Sequence, residues 1–335
     1  MNLLVLVGFL NDGAYPFTHE TANGVRRKAL LCHLPRSLVP TCGELRLCRD
    51  IDCCGSITAL ERSIGADVTG NEFAQPEMAK WDPTFTELLI NAVTPVIKRW
   101  FRPEVRGLET FPSIGGALLV SNHSGGVLTP DWNVLAPALY GKFGYDRPLY
   151  TLAHYGVFFT PFRASLSRLG VIHASRENAE EVLRSGAVVL AFPGGDYDAF
   201  RPTFRQSIID FGGRTGYVRT AMQAGVPIVP AVSIGGQETQ LFLTRGNWLA
   251  KRLGLKRFRI EILPITLGLP FGVTGFFPAN MPLPAKIVYE VLEPIDIAAR
   301  FGEDADVDEV DAYVRSVMQI ALDGLGRERR IPVVG

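Results

Sequence analysis

The sequence predicts an α/β protein in which helices flank a mostly parallel central sheet. Short apolar runs rich in β-branched residues recur along the chain, and segments with helical periodicity separate them. Several of these runs end in polar, glycine-rich loops, which is typical of the carboxyl ends of parallel strands, where ligands bind. The predicted strands are 116–120, 147–154, 169–173, 187–192, 226–232 and 286–292.

An amphipathic helix is predicted at the start of this domain. Apolar residues follow at steps of three and four from Trp81 to Phe101, and Pro95 inside this run predicts a kink or a break. Lys98 and Arg99 stand next to Trp100, which suits either a helix packed on the domain or one lying in a membrane interface. Both interpretations stay open at this point. Further helices are predicted at 132–140, 177–185, 217–224 and 307–321.

Composition limits the classes of partner and of membrane attachment. Lys plus Arg and Asp plus Glu are 34 each, so net charge gives no argument for nucleic acid, and none is expected as a partner. No apolar run reaches about 18 residues, so no transmembrane helix is predicted. Residues 262–284 are apolar but broken by proline and glycine, which excludes a helix there. They are predicted to form either an exposed apolar loop or a segment buried against the domain.

The first 77 residues differ from the rest of the chain. Their apolar periodicity is weak, and they hold all five cysteines, between Cys32 and Cys54. These cysteines lack the paired spacing of zinc ligands, so no metal is expected. We predict a poorly ordered or loosely attached extension over 1–77 and one domain over 78–330. A sharper hypothesis is that the natural protein starts at Met78.

The most informative stretch follows the predicted strand at 116–120. It reads Asn122-His123-Ser124-Gly125-Gly126, so a strand delivers an imidazole at its carboxyl end beside glycines that allow a ligand to approach closely. Thr129 suits an N-cap and Pro130 the first helical position, which places Asp131 at the start of the next helix. A base with a carboxylate that orients it is the pair needed to activate a hydroxyl.

Four blocks in this order resemble the motif blocks of the glycerolipid acyltransferases, the family of lysophosphatidic acid and glycerol-3-phosphate acyltransferases. The resemblance covers residues from about 80 to 325 and is to bacterial members. Two departures exist: seven residues separate His123 from Asp131 where the family has four, and Gly194 replaces a glutamate. With this glycine, the Phe-Pro-Gly-Gly motif resembles that of the branch of the family that is similar to diacylglycerol acyltransferases. The blocks are Asn122-His123 with Asp131, the segment ending in Arg176, Phe192-Pro193-Gly194-Gly195, and Val226-Pro227-Ile228-Val229-Pro230.

The resemblance implies a single glycerolipid-acyltransferase-type domain with an amphipathic N-terminal helix. It implies transfer of a fatty acyl group from acyl-CoA or acyl carrier protein to a hydroxyl of a glycerolipid or lysophospholipid. Acyl-CoA would be a co-substrate, and no cofactor is expected. The implied partner is a membrane lipid surface, with the protein peripheral or monotopic on the cytoplasmic face of the cell membrane.

The resemblance also implies roles for site residues. His123 would be the general base, Asp131 the carboxylate that orients it, and Arg176 a phosphate ligand. Main-chain N–H groups in the glycine loops are candidates for the oxyanion, and further arginines are candidates for phosphates. The remaining predicted substrate-binding residues are Ser124, Gly125, Gly126, Pro193, Gly194, Gly195, Arg201 and Arg214.

Two other functions stay open from the sequence. Ser124 beside His123 allows a serine lipid hydrolase, although no Gly-x-Ser-x-Gly elbow occurs. The wide spacing of His123 and Asp131 allows an impaired acyltransferase-like protein that only binds lipid or acyl-CoA. Glu238 is predicted to be a local structural acceptor or a pocket residue, and His154 a structural or surface histidine.

Overall fold

The computed structural model describes residues 77–258, 261–331 and 333–334. Apart from Glu77, the predicted N-terminal extension and its cysteines therefore lie outside the described residues. The strands of the described part are β1 (Glu104–Arg106), β2 (Ala117–Ser121), β3 (Leu149–Ala153), β4 (Val171–His173), β5 (Val188–Ala191), β6 (Ile228–Ile234), β7 (Leu241–Thr244), β8 (Ile265–Gly268), β9 (Gly272–Thr274) and β10 (Val288–Val291).

Seven of these strands form the central sheet, in the order β1-β10-β6-β2-β5-β3-β4. The five strands from β6 to β4 are mutually parallel, β10 runs antiparallel to β6, and β1 is parallel to β10. Strand β2 lies in the middle, paired on both sides and buried at every position. The predicted α/β class with a mostly parallel sheet is confirmed, and the His123 loop leaves the carboxyl end of its central strand.

Helices cover both faces of this sheet, and two apolar clusters fill the space between the layers. On one face α1 and α2 pack through Leu89, Val93 and Leu135, and on the other α4, α6 and α9 pack through Val182, Val218 and Val314. The helices are α1 (Pro83–Phe101), α2 (Pro130–Phe143), α3 (Arg163–Arg168), α4 (Arg176–Arg184), α5 (Gly195–Ala199), α6 (Gly216–Ala224), α7 (Asn247–Arg252), α8 (Ile297–Phe301) and α9 (Val307–Glu328).

Helix α1 confirms the predicted amphipathic helix but does not break at its proline. It begins after an Asp82 cap whose side chain accepts from the Phe85 N–H, and it continues through Pro95 to Phe101. Its apolar side is buried in the core, as the packing interpretation expected, whereas Leu88, Val96 and Trp100 remain exposed. No helix in the described ranges is both long and apolar enough to cross a membrane.

A second, antiparallel sheet of three strands was missed by the sequence analysis. It has the order β7-β8-β9, so residues 262–284 contain two strands where only a loop or an irregular buried segment was predicted. The prolines and glycines that exclude a helix stand mostly at the strand ends, as in Gly268, Pro270 and Gly272. Such residues interrupt helices but are tolerated where short strands begin and end.

Candidate active site

His123 and Asp131 come together although seven residues separate them. A short 3₁₀ turn, Gly126–Leu128, folds the loop back so that α2 begins directly against the end of β2. His123 Nδ1 lies 3.1 Å from Asp131 Oδ2, and the side chain of Asp131 is fully buried. The long spacing is therefore taken up by one turn of chain, and the pair predicted from the sequence is present.

Asp131 is held by three further donors. Its carboxylate accepts from Ser124 N (2.5 Å), Ser124 Oγ (2.7 Å) and Ser233 Oγ (2.6 Å). A carboxylate fixed in this way accepts the Nδ1–H of a neutral imidazole and leaves the lone pair of Nε2 as the basic site. Because the Ser124 hydroxyl donates to Asp131, its proton is directed to the carboxylate and the serine–histidine contact of a hydrolase is not formed.

A second buried carboxylate, Asp198, fixes the main chain of His123. Its Oδ2 accepts the His123 N–H at 2.8 Å, and its Oδ1 accepts from Arg201 Nε (3.1 Å) and Nη2 (2.8 Å). Burial raises the pKa of the Asp198 carboxyl, while Arg201 and the His123 N–H oppose that rise. Sequence reasoning missed Asp198, although its place three residues after Gly195, in the short helix α5 that follows β5, was a usable signal.

Arg201 is an internal residue, contrary to its predicted place in substrate binding. Its side chain is buried, it is paired with Asp198, and it also donates to the Asp210 carbonyl at 2.9 Å. A guanidinium with these partners holds two loops together at the site. A phosphate would have to compete with a buried carboxylate that is already bound to it.

Phe192 connects His123 to a large cavity. Its ring stacks on the imidazole with centroids 4.4 Å apart and an interplanar angle of 24°. The cavity, of about 840 Å³, opens at the carboxyl ends of β3, β4 and β5. Its walls combine apolar side chains with a few charged ones, which is typical of ligand sites. Lining residues include Leu118, Leu152, Ala191, Phe192, Arg176 and Arg214.

The other predicted substrate residues divide between this cavity and the His123 loop. Arg176, the first residue of α4, is exposed on the cavity wall and has no partner among the described residues. Arg214 also lines the cavity, where it donates to the Gly194 carbonyl (2.7 Å) and to Asp196 (2.8 Å). Pro193 and Gly195 belong to the same wall. These positions suit the predicted contact with substrate, which stays a prediction.

The N–H groups of the glycine loop are mostly engaged inside the protein. Ser124 N donates to Asp131, Gly125 N donates to Gln237 Oε1 (3.0 Å), and Gly195 N donates to the Phe192 carbonyl (2.9 Å). Gly126 lies under two aromatic rings, since a Cβ there would come within 2.9 Å of Phe200 and of Phe242. Oxyanion binding by Ser124, Gly125 or Gly195 was therefore a wrong expectation, because these donors are already used.

Asn122 and two other polar residues have structural partners. Its side-chain amide donates to the Ser233 carbonyl (3.0 Å) and accepts the Ser233 N–H (2.8 Å), which ties the end of β2 to β6. His154 borders the cavity and accepts the Gly156 N–H through Nδ1 at 3.0 Å. Glu238 takes the first of its two predicted roles, because its buried carboxylate is bound by Arg329.

Gly194, which replaces the glutamate of the family motif, leaves room for Asp198. A Cβ on Gly194 would lie 2.4 Å from the Asp198 Cβ, so any side chain would displace the carboxylate that holds His123. We expect Gly194→Ala to lower the free energy of unfolding by about 1–3 kcal/mol, the usual cost of overpacking. Denaturant titration measures this change.

Gly141→Ala is the matched control for this substitution. Gly141 lies inside α2, and a Cβ there would meet nothing within 4 Å. Alanine favours a helix over glycine by up to about 1 kcal/mol, so this variant should be neutral or more stable. Equal stability of Gly194→Ala and the wild type would contradict the close approach of Asp198.

The chain is similar to several known proteins. A family model described as Acyltransferase matches residues 102–234. The uncharacterized protein Rv0502 of Mycobacterium tuberculosis is 33% identical over 279 residues, 81% of this chain and 73% of that protein. The bovine DGAT1/2-independent enzyme synthesizing storage lipids is 30% identical over 203 residues, 58% of this chain and 56% of that protein.

The family match and the named relative identify an acyltransferase of lipid metabolism, and a parallel sheet that presents a histidine and a buried aspartate beside a large cavity is consistent with that class. The chain belongs to the glycerolipid acyltransferase family. The structure also resembles the crystal structure of the 1-acyl-sn-glycerophosphate acyltransferase PlsC from Thermotoga maritima. That comparison has a TM-score of 0.44 and 16% identity, and it covers 82% of this chain and 94% of that one.

Proposed function

We propose that the protein transfers a fatty acyl group from a thioester, acyl-CoA or acyl carrier protein, to a hydroxyl of a glycerolipid, with His123 as the general base. The observation that carries this proposal is the His123–Asp131 contact of 3.1 Å, next to the wall of the 840 Å³ cavity. Asp131 accepts the proton on Nδ1, so Nε2 is the atom that takes the proton of the acceptor hydroxyl.

The reaction needs no group beyond the two substrates. The acceptor oxygen attacks the thioester carbonyl carbon and forms the new C–O bond while its proton moves to His123 Nε2. The tetrahedral intermediate then collapses, the C–S bond breaks, and the same proton passes to the thiolate that leaves. Asp131 stabilises the imidazolium that exists between the two proton transfers.

Donors for the intermediate's oxyanion come from the N–H groups that remain. Those of Gly126 and Gly194 have no acceptor among the described residues, and they lie in the His123 loop and in the loop after Phe192. Fixed N–H groups of this kind stabilise charge that develops in the transition state. We therefore assign the oxyanion to these two glycines in place of Ser124, Gly125 and Gly195.

The cavity is the proposed place of the acyl donor. Its apolar walls suit the acyl chain, and Arg176 and Arg214 on its polar side suit the phosphates of CoA or of a carrier protein's prosthetic arm. A glycerolipid without phosphate is favoured as acceptor, because Gly194 stands where family members that use a phosphorylated acceptor have a glutamate that helps to bind it. The bovine relative, named as an enzyme synthesizing storage lipids, supports the same class.

Acyl transfer to a panel of acceptors tests the proposal. Purified protein receives radiolabelled palmitoyl-CoA, and in a parallel series palmitoyl carrier protein, with lysophosphatidic acid, another lysophospholipid, monoacylglycerol, diacylglycerol or a long-chain alcohol. Label in one glycerolipid product is expected. Release of free palmitate alone would favour the hydrolase, and donor binding without transfer to any acceptor would favour the lipid-binding protein.

A further inference from the structure

The side chains on one face of the small sheet are buried, and those on the other face are exposed and apolar. Phe242 and Thr266 point inward, whereas their neighbours along β7 and β8 are exposed. The register places Leu241 opposite Leu267 and Leu267 opposite Val273, so one apolar row crosses all three strands. We call this the apolar face. Its members are Leu241, Leu243, Leu267, Leu269 and Val273, with exposures between 38% and 73%.

Helix α7, which begins three residues after the end of β7, adds an aromatic side chain and cations. Trp248 is 61% exposed, and Lys251 and Arg252 are exposed on the same short helix. Tryptophan together with lysine and arginine is the side-chain set found where proteins meet the headgroup region of a membrane. The face and its neighbouring helix therefore combine an apolar surface with a basic one.

Charge beside the apolar face is one-sided. The whole chain has a net charge of zero, yet residues 241–252 hold three cations and no carboxylate. Lys251 and Arg252 are exposed, whereas Arg245 packs on the Tyr197 ring. A second copy of the chain would bring the same positive charge against it, whereas anionic lipid headgroups would neutralise it. The charge pattern thus selects a lipid surface over self-association.

The apolar face is also joined directly to the His123 loop. On the inner side of the small sheet, Phe242 packs edge-on against Phe200 with centroids 5.8 Å apart. Both rings cover Gly126, three residues after His123. A bilayer held against the outer side would therefore lie next to the loop that carries the base.

We propose that the apolar face and α7 dock the protein on an anionic bilayer surface. The proposal rests on the proposed function only in that it explains how a lipid acceptor reaches His123. Trp100, at the end of α1, donates through Nε1 to the Pro282 carbonyl at 3.0 Å. The preceding residue, Met281, donates its N–H to the carbonyl of Leu269 in the apolar face at 2.7 Å, so the end of α1 adjoins this surface. If α1 also meets the membrane, as one interpretation of its sequence expects, it would do so beside the same docking surface.

Vesicle flotation tests the docking surface independently of catalysis. The triple variant L241T/L267T/V273T places β-branched threonines, which favour strands, at these positions but removes the apolar row. Its partitioning onto vesicles of phosphatidylcholine and phosphatidylglycerol should fall about tenfold or more relative to the wild type. K251E/R252E should lose the preference for these vesicles over phosphatidylcholine alone. The control I114T/I320T replaces exposed aliphatic residues elsewhere and should bind as the wild type does.

The outcomes separate docking from catalysis. The proposal would be overturned if the triple variant bound vesicles as strongly as the wild type. It would also be overturned if the wild type were a dimer in solution and the triple variant a monomer, with vesicle binding unchanged. Wild-type binding that the triple variant loses supports docking even if no acyl transfer is found. Transfer to a short-chain, water-soluble acceptor should be retained by the triple variant, which shows that its fold and its active site are intact.

Discussion

Acyl transfer by the His123→Ala variant should be slower than wild-type transfer by about 10²- to 10⁴-fold, the contribution typical of a positioned general base. The loss should appear in kcat, while binding of the acyl donor is kept, because the imidazole borders the donor cavity only through Phe192. Steady-state kinetics with the acceptor identified from the panel, together with a direct measurement of donor binding, separates the two effects.

Three further variants make this measurement specific. His123→Gln preserves a polar side chain of similar size and should be as slow as alanine, because an amide is not a base. Asp131→Asn should also be slow, since a neutral amide does not stabilise the imidazolium as a carboxylate does, and its NH2 group donates where the carboxylate accepts the Nδ1–H. His173→Gln is the control: His173 ends β4 and stacks with Phe158, and its variant should keep its activity. Full activity of His123→Ala would exclude the imidazole as the base.

Six of the seven strands of the central sheet were predictable, because they are short apolar runs rich in β-branched residues and this signal needs no information from distant residues. Strand β1 was not predicted, because two of its three residues are charged. The same local signals identified His123, since a histidine that ends such a strand must lie at the carboxyl edge of the sheet. Arg176 was located in the same way, at the end of β4 and the start of α4. In each of these cases a single stretch of sequence is enough to predict where its residues lie in the fold.

Partners that are distant in sequence were not predictable. Ser233, which binds Asp131, lies 102 residues beyond it, and the Asn122 side chain pairs with the same strand. Arg201 was misassigned because composition cannot tell an arginine that meets a phosphate from one that meets a buried carboxylate. The small sheet was missed because glycine and proline in its strand ends gave the pattern of a loop.

Replacing Glu238 with alanine should lower the free energy of unfolding by about 3–5 kcal/mol, the range for removing one partner of a buried ion pair. Its carboxylate accepts hydrogen bonds from both Nη atoms of Arg329, at 2.7 and 2.8 Å, and both side chains are more than nine-tenths buried. It also accepts from Gln206 Nε2 (2.8 Å) and Val333 N (2.5 Å), so its loss would release the segment that follows α9. Chemical denaturation measures the change.

Two comparisons decide whether burial is the cause of that loss. Glu104→Ala removes the same group from a pair with Arg106 in which both side chains are about 40% exposed, and it should cost about 0–1 kcal/mol. Adding Arg329→Met to Glu238→Ala removes the charge left unpaired, so the double variant should be more stable than Glu238→Ala alone. If Glu238→Ala and Glu104→Ala cost the same, or if the second substitution restores nothing, then the unpaired guanidinium is not what destabilises the fold.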